Sequence, residues 1–235
     1  FNADIFIVVA FRMLPKIVWE IPKKGTINLH ASLLPQLRGA APIHWAIING
    51  FKKTGVTTFF INEKIDFGDI IEQKEVKIGD FENTGSLYEK LKIAGSLLIL
   101  STLKLISKNN LKTIKQSNSL NVIKAPKLNK ENTKIDWNKS GLEIFNFIRG
   151  LSPFPSAWTK DEKNNKIIKL FNVIYHKETK TKHVNGLISI KNNMLKILLK
   201  DGYLEVLEIQ IEGKKRMSGK EFINGYIDYD SIRLL

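Results

Sequence analysis

The chain has 235 residues, of which 43% are hydrophobic, so it can bury a substantial core and is long enough for one or two domains. Its longest apolar runs, residues 5–11 and 97–100, are far shorter than the roughly 20 residues that a membrane-spanning helix requires. It contains no cysteine, which excludes disulfides and thiolate metal ligands. It also opens without the basic and apolar segments of a signal peptide, so we expect a cytoplasmic protein.

The net charge of +14 is unevenly distributed along the chain. Residues 1–120 carry 16 basic and 10 acidic side chains, residues 121–200 carry 16 and 6, and residues 201–235 carry 5 and 7. Such a density of lysine in the middle of the C-terminal half attracts polyanions through counterion release. A solvated surface in a lysine-rich proteome is an equal alternative, because no aromatic ladder, zinc pattern or RNA-recognition consensus accompanies the lysines.

The first half of the chain has the pattern of an α/β domain. Pro42 opens a short apolar helix that an Asn-Gly pair ends, and Thr84 caps a long amphipathic helix over residues 87–106. The continuous apolar run at residues 5–10 is typical of a strand covered on both faces of a parallel sheet. Further strands are predicted at residues 26–29, 56–61 and 70–78.

The second half begins with a polar segment, residues 107–135, which predicts a surface linker. A capping box from Ser140 to Glu143 then opens a helix that two prolines end. Strands are predicted at residues 166–173, 186–190, 195–199 and 204–211, and Asp201-Gly202 joins the last two as a hairpin. This pattern favours a small barrel or open sheet, followed by a short helix that a second capping box, Ser218 to Glu221, begins.

Three polar side chains could share one site. Asn28 and His30 point to the same side of the second predicted strand, and open α/β sheets bind their ligands at the carboxyl ends of strands. Asn28 can donate to an oxyanion, and a carboxylate such as Asp66 would fix the tautomer of His30. This trio suits acyl chemistry without a covalent nucleophile, since Ser32 lacks the glycines of a nucleophile elbow.

Each piece also has an ordinary structural explanation. An Asn-x-His sequence at a strand end is more often a hydrogen-bonded turn, and Asp66 and Asp69 around a glycine are typical of turns. Metal binding is poorly supported, because the other histidines show no ligand spacing with each other or with these aspartates.

The combination resembles a known family. The segment NLHASLLP at residues 28–35, with DFGD at residues 66–69, is similar to the signature of the 10-formyltetrahydrofolate-dependent formyltransferases and hydrolases. Two further segments, RGAAPI at residues 38–43 and TGVT at residues 54–57, make the resemblance to this family more specific. IRGLSPFPSAW at residues 148–158, together with the motifs APKL and IDW between residues 125 and 137, resembles the methionyl-tRNA formyltransferase branch of that family.

This resemblance implies a fold class and a division into domains. The fold would be α/β, with a partial Rossmann-like formyltransferase domain followed by a small C-terminal β-barrel of OB-like type. Residues 1–106 would be the catalytic domain, residues 107–135 the linker, and residues 136–235 the tRNA-binding barrel.

The resemblance also implies an activity and the residues that serve it. The formyl group of 10-formyltetrahydrofolate, a co-substrate, would pass to the α-amino group of initiator methionyl-tRNA, with no metal, and the protein would be a monomer. Asn28, His30 and Asp66 would be catalytic. The folate would lie beside the loop after residue 10 and the turn at residues 65–69, with five contact residues: Ser32, Leu33, Leu34, Pro35 and Asp69. The tRNA would contact Arg38, Lys127 and Arg149.

Departures from the family pattern keep two alternatives open. The family's amino-terminal portion has no counterpart here, so we expect a fragment or a truncated product, in which the strand at residues 5–10 would have one unpaired edge and uncovered faces. Phe67 stands where threonine is usual, and Arg12 where glycine is usual. The alternatives are a non-catalytic RNA-binding remnant and a sister enzyme that formylates a nucleotide sugar or hydrolyses the formyl folate.

Overall fold

The structure is a computed structural model that describes residues 2–10, 13–108, 111–117, 121–179 and 183–235. The chain forms two compact units that interleave in sequence. The first unit comprises Phe1–Ala46, Phe51–Glu82 and Ser86–Lys127, and the second comprises Ile47–Gly50, Asn83–Gly85 and Leu128–Leu235. No helix among the described residues combines the length and the apolarity needed to cross a bilayer.

The elements up to residue 127 are six strands and three helices within the described residues. In chain order they are β1 (Phe6–Val9), α1 (Lys16–Trp19), β2 (Thr26–His30), β3 (Arg38–Gly39), α2 (Pro42–Ile48), β4 (Lys53–Phe60), β5 (Ile70–Lys77), α3 (Thr84–Ser107) and β6 (Lys124–Ala125). Four strands form a sheet in the order β1-β2-β4-β5, in which β1 and β2 run parallel while β2, β4 and β5 pair antiparallel. The predicted strands and helices of this half are therefore confirmed, with longer bounds for β4.

Strand β1 lies at the edge of this sheet. Among the described strands its one ladder is with β2, and alternate residues are exposed, with Ile7 at 41% and Val9 at 55%. The apolar run is typical of a strand covered on both faces, but here the expected unpaired edge is present, and the exposure of alternate residues agrees with the expectation of uncovered faces. The run of apolar residues gave the strand correctly, but a local pattern contains no information on what covers it.

Strand β2 occupies an inner position and carries the site residues. It lies between β1 and β4, and Ile27 on it is fully buried. Helix α3 approaches β2 closely at Gly95, where an added Cβ atom would lie 2.7 Å from Leu29 Cδ2. Helix α3 packs against the Leu29 side of β2, so the packed core sets the position of the site residues on this strand.

The predicted surface linker is in part a structural element of the first unit. Strand β6 pairs in parallel with β3, and Ile114 exchanges two backbone hydrogen bonds of 2.8 Å with Ile70. These contacts use backbone groups, so the polar, aperiodic composition of residues 107–135 gave no sign of them.

The second unit is built on a larger antiparallel sheet. Its elements are α4 (Gly141–Leu151), β7 (Ala157–Lys160), β8 (Ile167–Lys177), β9 (Leu187–Lys191), β10 (Met194–Leu199), β11 (Gly202–Ile211), β12 (Met217–Ser218) and α5 (Gly219–Gly225). The strand order is β7-β8-β11-β10-β9, with β12 paired to β11. The four predicted strands and the β10–β11 hairpin are confirmed, while β7 follows a proline-rich turn and was not predicted.

The C-terminal residues contact both outer strands of this sheet. Leu235 donates its backbone N–H to the Lys160 carbonyl at 2.8 Å, and Leu234 donates to the Gly186 carbonyl at 2.8 Å. The OB-like barrel stays a prediction, because the strand order by itself is that of an open sheet.

One large apolar cluster forms the core of the second unit. Helix α4 buries Ile148 and Leu151 completely, and the sheet contributes Ile168 and Leu204 to the same cluster. Both predicted capping boxes are confirmed. Ser140 accepts a hydrogen bond from the Glu143 backbone N–H while the Glu143 carboxylate accepts from the Ser140 backbone N–H, and α5 repeats the arrangement.

The α4 cap generates a stability prediction. Ser140→Ala removes the side-chain acceptor of a helix N-terminus, which typically costs about 1 kcal/mol. We expect urea unfolding to show a loss of that size. Ser96→Ala is the control, because exposed Ser96 bonds a carbonyl within its own helix. A loss from Ser140→Ala no larger than that of the control would contradict the role of the cap.

Candidate active site

Asn28 lies at the wall of a cleft in the first unit. In the β2 ladder Asn28 is opposite Val8 on one side and Phe59 on the other, and both neighbours also line the cleft. Its Oδ1 atom is buried and has no hydrogen-bond partner among the described residues. Since a buried polar atom without a partner carries a desolvation cost, this amide is not held there by its contribution to stability.

The cleft has a volume of about 690 Å³ and largely apolar walls. This size falls in the usual range for a small-molecule site. The other lining residues are Met13, Leu14, Pro15, Lys16, Trp19, Gly39, Ala40, Ile61, Asn62, Glu63, Lys64, Ile65 and Asp66. Asn28 and Asp66 therefore line one cavity.

His30 lies behind the cleft wall, at the end of β2. It is 7% exposed, and its Nε2 is 2.9 Å from the Leu37 carbonyl oxygen. A carbonyl can only accept, so Nε2 carries the proton, and Nδ1 of the neutral ring is the free base. Nδ1 lies 3.8 Å from Asp66 Oδ2, which places an imidazole base beside a carboxylate. A proton arriving at this pair would be shared by two acceptors.

Asp66 is held by the backbone of the neighbouring loop. Its Oδ2 accepts a hydrogen bond of 2.9 Å from the Gly39 backbone N–H, and its own backbone has a φ of 53°. That left-handed conformation is uncommon for residues other than glycine, although aspartate adopts it more readily than most. The strained turn aims the carboxylate at His30.

Gly39 has a geometric reason to be glycine. Its φ is 127°, and an added Cβ would lie 2.3 Å from the Ala125 carbonyl oxygen. The β3–β6 pairing therefore requires a glycine at the position that donates to Asp66.

Arg38 contacts the Asp66 loop. Its guanidinium lies 4.1 Å from the centre of the Phe67 ring, and its Nε and Nη2 donate to Gln116 Oε1 at 3.0 and 2.6 Å. Burial lowers the pKa of Arg38 from its ordinary value, while the charge of Asp66 acts in the opposite direction. Phe67, which departs from the family pattern, thus provides a cation–π partner for Arg38.

The segment predicted to contact the cofactor does not line the cleft. Ser32 is fully buried and donates to the Gln36 carbonyl at 2.6 Å, and Leu34 belongs to a buried cluster with Phe59. Leu33 packs against Gly55, and Pro35 follows a cis peptide bond.

Asp69, the fifth predicted contact residue, is likewise absent from the cleft lining. Its backbone carbonyl accepts a hydrogen bond of 3.0 Å from Phe60. Of the predicted binding turn at residues 65–69, Ile65 and Asp66 line the cleft. The other turn residues hold the loop in place.

The three predicted tRNA-contact residues differ in accessibility. Lys127 is exposed in the first unit. Arg38 is half-buried in the contacts described above, and Arg149 is 6% exposed, with its Nε donating to Asn146 Oδ1 at 2.9 Å. A buried guanidinium offers little surface to a phosphate, so the structure gives Arg149 a role in the packing of α4.

The cleft includes an ion pair that the sequence did not predict. Lys16 Nζ and Glu63 Oε1 are 2.8 Å apart, and this hydrogen bond raises the pKa of Lys16 and lowers that of Glu63. Both side chains are well exposed, so the pair adds little to stability. Arg12, a departure noted in the sequence, lies outside the described residues. Within the described part of the chain, no three His, Asp or Glu side chains are grouped so as to hold a metal ion.

Comparison with known proteins identifies the family of the chain. A family profile described as "Formyl transferase" matches residues 1–103, and one described as "Formyl transferase, C-terminal domain" matches residues 127–227. The chain is 50% identical to methionyl-tRNA formyltransferase of Flavobacterium johnsoniae, covering 99% of this chain and 74% of that protein. The chain belongs to the methionyl-tRNA formyltransferase family. A second member, from Flavobacterium psychrophilum, is 47% identical over 95% of this chain and 71% of its own length.

Solved structures of formyltransferases and related proteins share the fold. HypX from Aquifex aeolicus, solved in complex with tetrahydrofolic acid, has a TM-score of 0.71 at 21% identity, covering 95% of this chain and 39% of that chain. WlaRD, a sugar 3N-formyl transferase solved with dTDP and 5-N-formyl-THF, has a TM-score of 0.66 at 25% identity, covering 90% and 73%. A Rossmann-like α/β unit followed by a smaller C-terminal unit is therefore the fold of this family member.

The close approach at Gly39 generates a prediction. Gly39→Ala combines a left-handed backbone with a clash against Ala125, and we expect a loss of unfolding free energy of about 1–3 kcal/mol. Gly213→Ala is the control, because Gly213 has a φ of 76° and no atom within 4 Å of an added Cβ. Urea unfolding should show the larger loss for Gly39→Ala. Equal losses would mean that the β3–β6 pairing does not constrain this position.

Proposed function

We propose that this chain transfers the formyl group of 10-formyltetrahydrofolate to the α-amino group of methionine on initiator tRNA, for translation initiation. The proposed reaction rests on one observation: Asn28 and Asp66 line one cleft, and His30 lies directly behind Asp66. The proposed acceptor is inferred from the names of the relatives, which are methionyl-tRNA formyltransferases at 40–50% identity.

The first step is attack of the amine on the formyl carbon. A new N–C bond forms, and the formyl oxygen becomes an oxyanion. The Asn28 side-chain amide donates to this oxygen, and such a preorganised donor stabilises the transition state more than the ground state.

The second step moves a proton. The attacking amine must lose a proton, and the N10 atom of the folate must gain one before the C–N10 bond breaks. The His30 and Asp66 pair accepts that proton, because Nδ1 and Oδ2 face each other and the Leu37 carbonyl keeps Nε2 protonated. Returning the proton to N10 releases tetrahydrofolate and leaves the formylated amine.

The cleft fits the folate better than the predicted contact loop does. Its apolar walls, which include Trp19 and Phe59, suit an aromatic ring system, and Asn28 and Asp66 are among its polar lining residues. Ser32, Leu33, Leu34 and Pro35 then act by shaping the loop after β2. This loop ends at Leu37, whose carbonyl orients His30.

The second unit would contribute to tRNA binding through its surface charge. Within this unit, residues 128–200 carry 14 basic and 6 acidic side chains, and the lysines at positions 130, 134, 163 and 166 are exposed. Phosphate contacts of this kind depend on salt, so tRNA affinity should fall steeply as ionic strength rises.

An acceptor assay tests the proposed activity. Purified protein is incubated with 10-formyltetrahydrofolate and with charged initiator tRNA, an amino sugar nucleotide, or no acceptor. We expect formyl-methionine to appear only with the tRNA. Formylation of the sugar, or folate turnover without an acceptor, would assign a sister activity. Binding of tRNA without turnover would assign a non-catalytic RNA-binding role.

Asn28→Ala tests the oxyanion role. We expect kcat for Met-tRNA formylation to fall by about 10²- to 10³-fold, since this is the usual loss when one such donor is removed. Asn172→Ala, at an exposed position of β8, is the matched control and should leave kcat unchanged. Both variants are first compared with the parent by thermal unfolding. An unchanged rate in a folded Asn28→Ala protein would remove Asn28 from the mechanism.

A further inference from the structure

Gln116 lies in the segment that the sequence predicted to be a surface linker, yet its side chain is fully bonded within the site. Oε1 accepts from Arg38 Nε at 3.0 Å and from Arg38 Nη2 at 2.6 Å. Nε2 donates to the Asp66 carbonyl at 3.1 Å and to the Gly68 carbonyl at 2.8 Å. A primary amide has two acceptor lone pairs and two donor hydrogens, so every hydrogen-bonding site of Gln116 is used.

These four bonds join the two loops that position the catalytic carboxylate. The Oε1 side contacts Arg38, the residue immediately before the Gly39 N–H that donates to Asp66 Oδ2. The Nε2 side contacts the backbone of Asp66 itself, which has the unfavourable φ of 53°. A strained residue keeps its conformation when its neighbours over-determine it, and Gln116 supplies two of the hydrogen bonds that do so.

We propose that Gln116 is a positioning residue for the formyl transfer: it holds the Asp66 loop against the Arg38-Gly39 strand, and so keeps the Asp66 carboxylate beside His30. This inference rests on the proposed function for its kinetic consequence. Gln116 does not line the cleft, so it acts through Asp66 and touches neither substrate.

The chemistry of the side chain makes the role specific to an amide. Glutamate at position 116 would keep two acceptors for Arg38 but would lose both donors, and its charge would face the carbonyls of Asp66 and Gly68. Methionine has a similar length and would lose all four bonds. Gln116→Glu therefore removes the bonds to the Asp66 loop while it keeps the bonds to Arg38. The new carboxylate pairs with the Arg38 guanidinium, which favours a folded protein.

Kinetics of Met-tRNA formylation form the first test. We expect Gln116→Glu and Gln116→Met to lower kcat by about 10- to 100-fold, because displacement of a catalytic group by about 1 Å has effects of this size. The KM values for tRNA and folate should change by less than about threefold, because the residue contacts neither ligand. Gln36→Met is the matched control: Gln36 bonds Asn121 and Ile123 in the same segment but has no bond to the Asp66 loop.

A double-mutant cycle separates positioning from a general structural effect. Asp66→Asn keeps an oxygen that can accept from Gly39 but removes the carboxylate charge. If Gln116 acts through Asp66, Gln116→Glu in the Asp66→Asn background should lower kcat by less than about threefold. The proposal would be overturned if Gln116→Glu lowered kcat equally in the parent and in the Asp66→Asn protein. It would also be overturned if Gln116→Glu left the kcat of the parent unchanged.

Hydrogen exchange gives a readout that does not need catalysis. The Gly39 N–H is protected by its bond to Asp66 Oδ2, so its exchange, followed by NMR, should be at least about tenfold faster in Gln116→Met and unchanged in Gln36→Met. Unchanged exchange in Gln116→Met would overturn the inference. If the parent protein does not formylate Met-tRNA, the proposed function fails, and this measurement alone decides the role of Gln116.

Discussion

The 2.9 Å hydrogen bond from the Gly39 backbone N–H to Asp66 Oδ2 is the contact on which the site depends. It joins Asp66, in the loop between β4 and β5, to Gly39 in strand β3. Both residues have a positive φ, of 53° and 127°. A positive φ carries no steric penalty for glycine but is less favourable for aspartate, and packing and further hydrogen bonds hold both residues in position. Their surroundings, namely the β3–β6 pairing at Gly39 and the Gln116 amide at Asp66, supply these contacts.

His30 is likewise oriented by a backbone group. The Leu37 carbonyl fixes Nε2 as the protonated nitrogen and leaves Nδ1 towards Asp66. The loop between β2 and β3 thus has a clear purpose. Ser32 is buried and donates to the Gln36 carbonyl within the loop. Leu34 is buried and its backbone N–H donates to Thr57 Oγ1 on β4. The far end of the loop presents the carbonyl that sets the histidine tautomer. Residues of this loop that do not line the cleft thus still set the orientation of His30.

The sequence predicted the elements that depend on local pattern and the residues that depend on chemical type. Strand alternation placed Asn28 and His30 on one side of β2, and capping boxes located both helix starts in the second unit. It did not predict Gln116 or the ion pair between Lys16 and Glu63. Gln116 sits in a polar segment without periodicity, and its role arises from backbone partners some fifty residues earlier in the chain.

A structure with a bound formyl donor analogue tests the central claim most directly. Crystals of the protein grown with 5-formyltetrahydrofolate, a stable relative of the donor, would place the formyl group in or outside the cleft. The account predicts the formyl oxygen within about 3 Å of the Asn28 amide, a hydrogen-bond distance, with the ring system against Trp19 and Phe59. A folate bound along Ser32 to Pro35, with Asn28 left without a ligand, would contradict it.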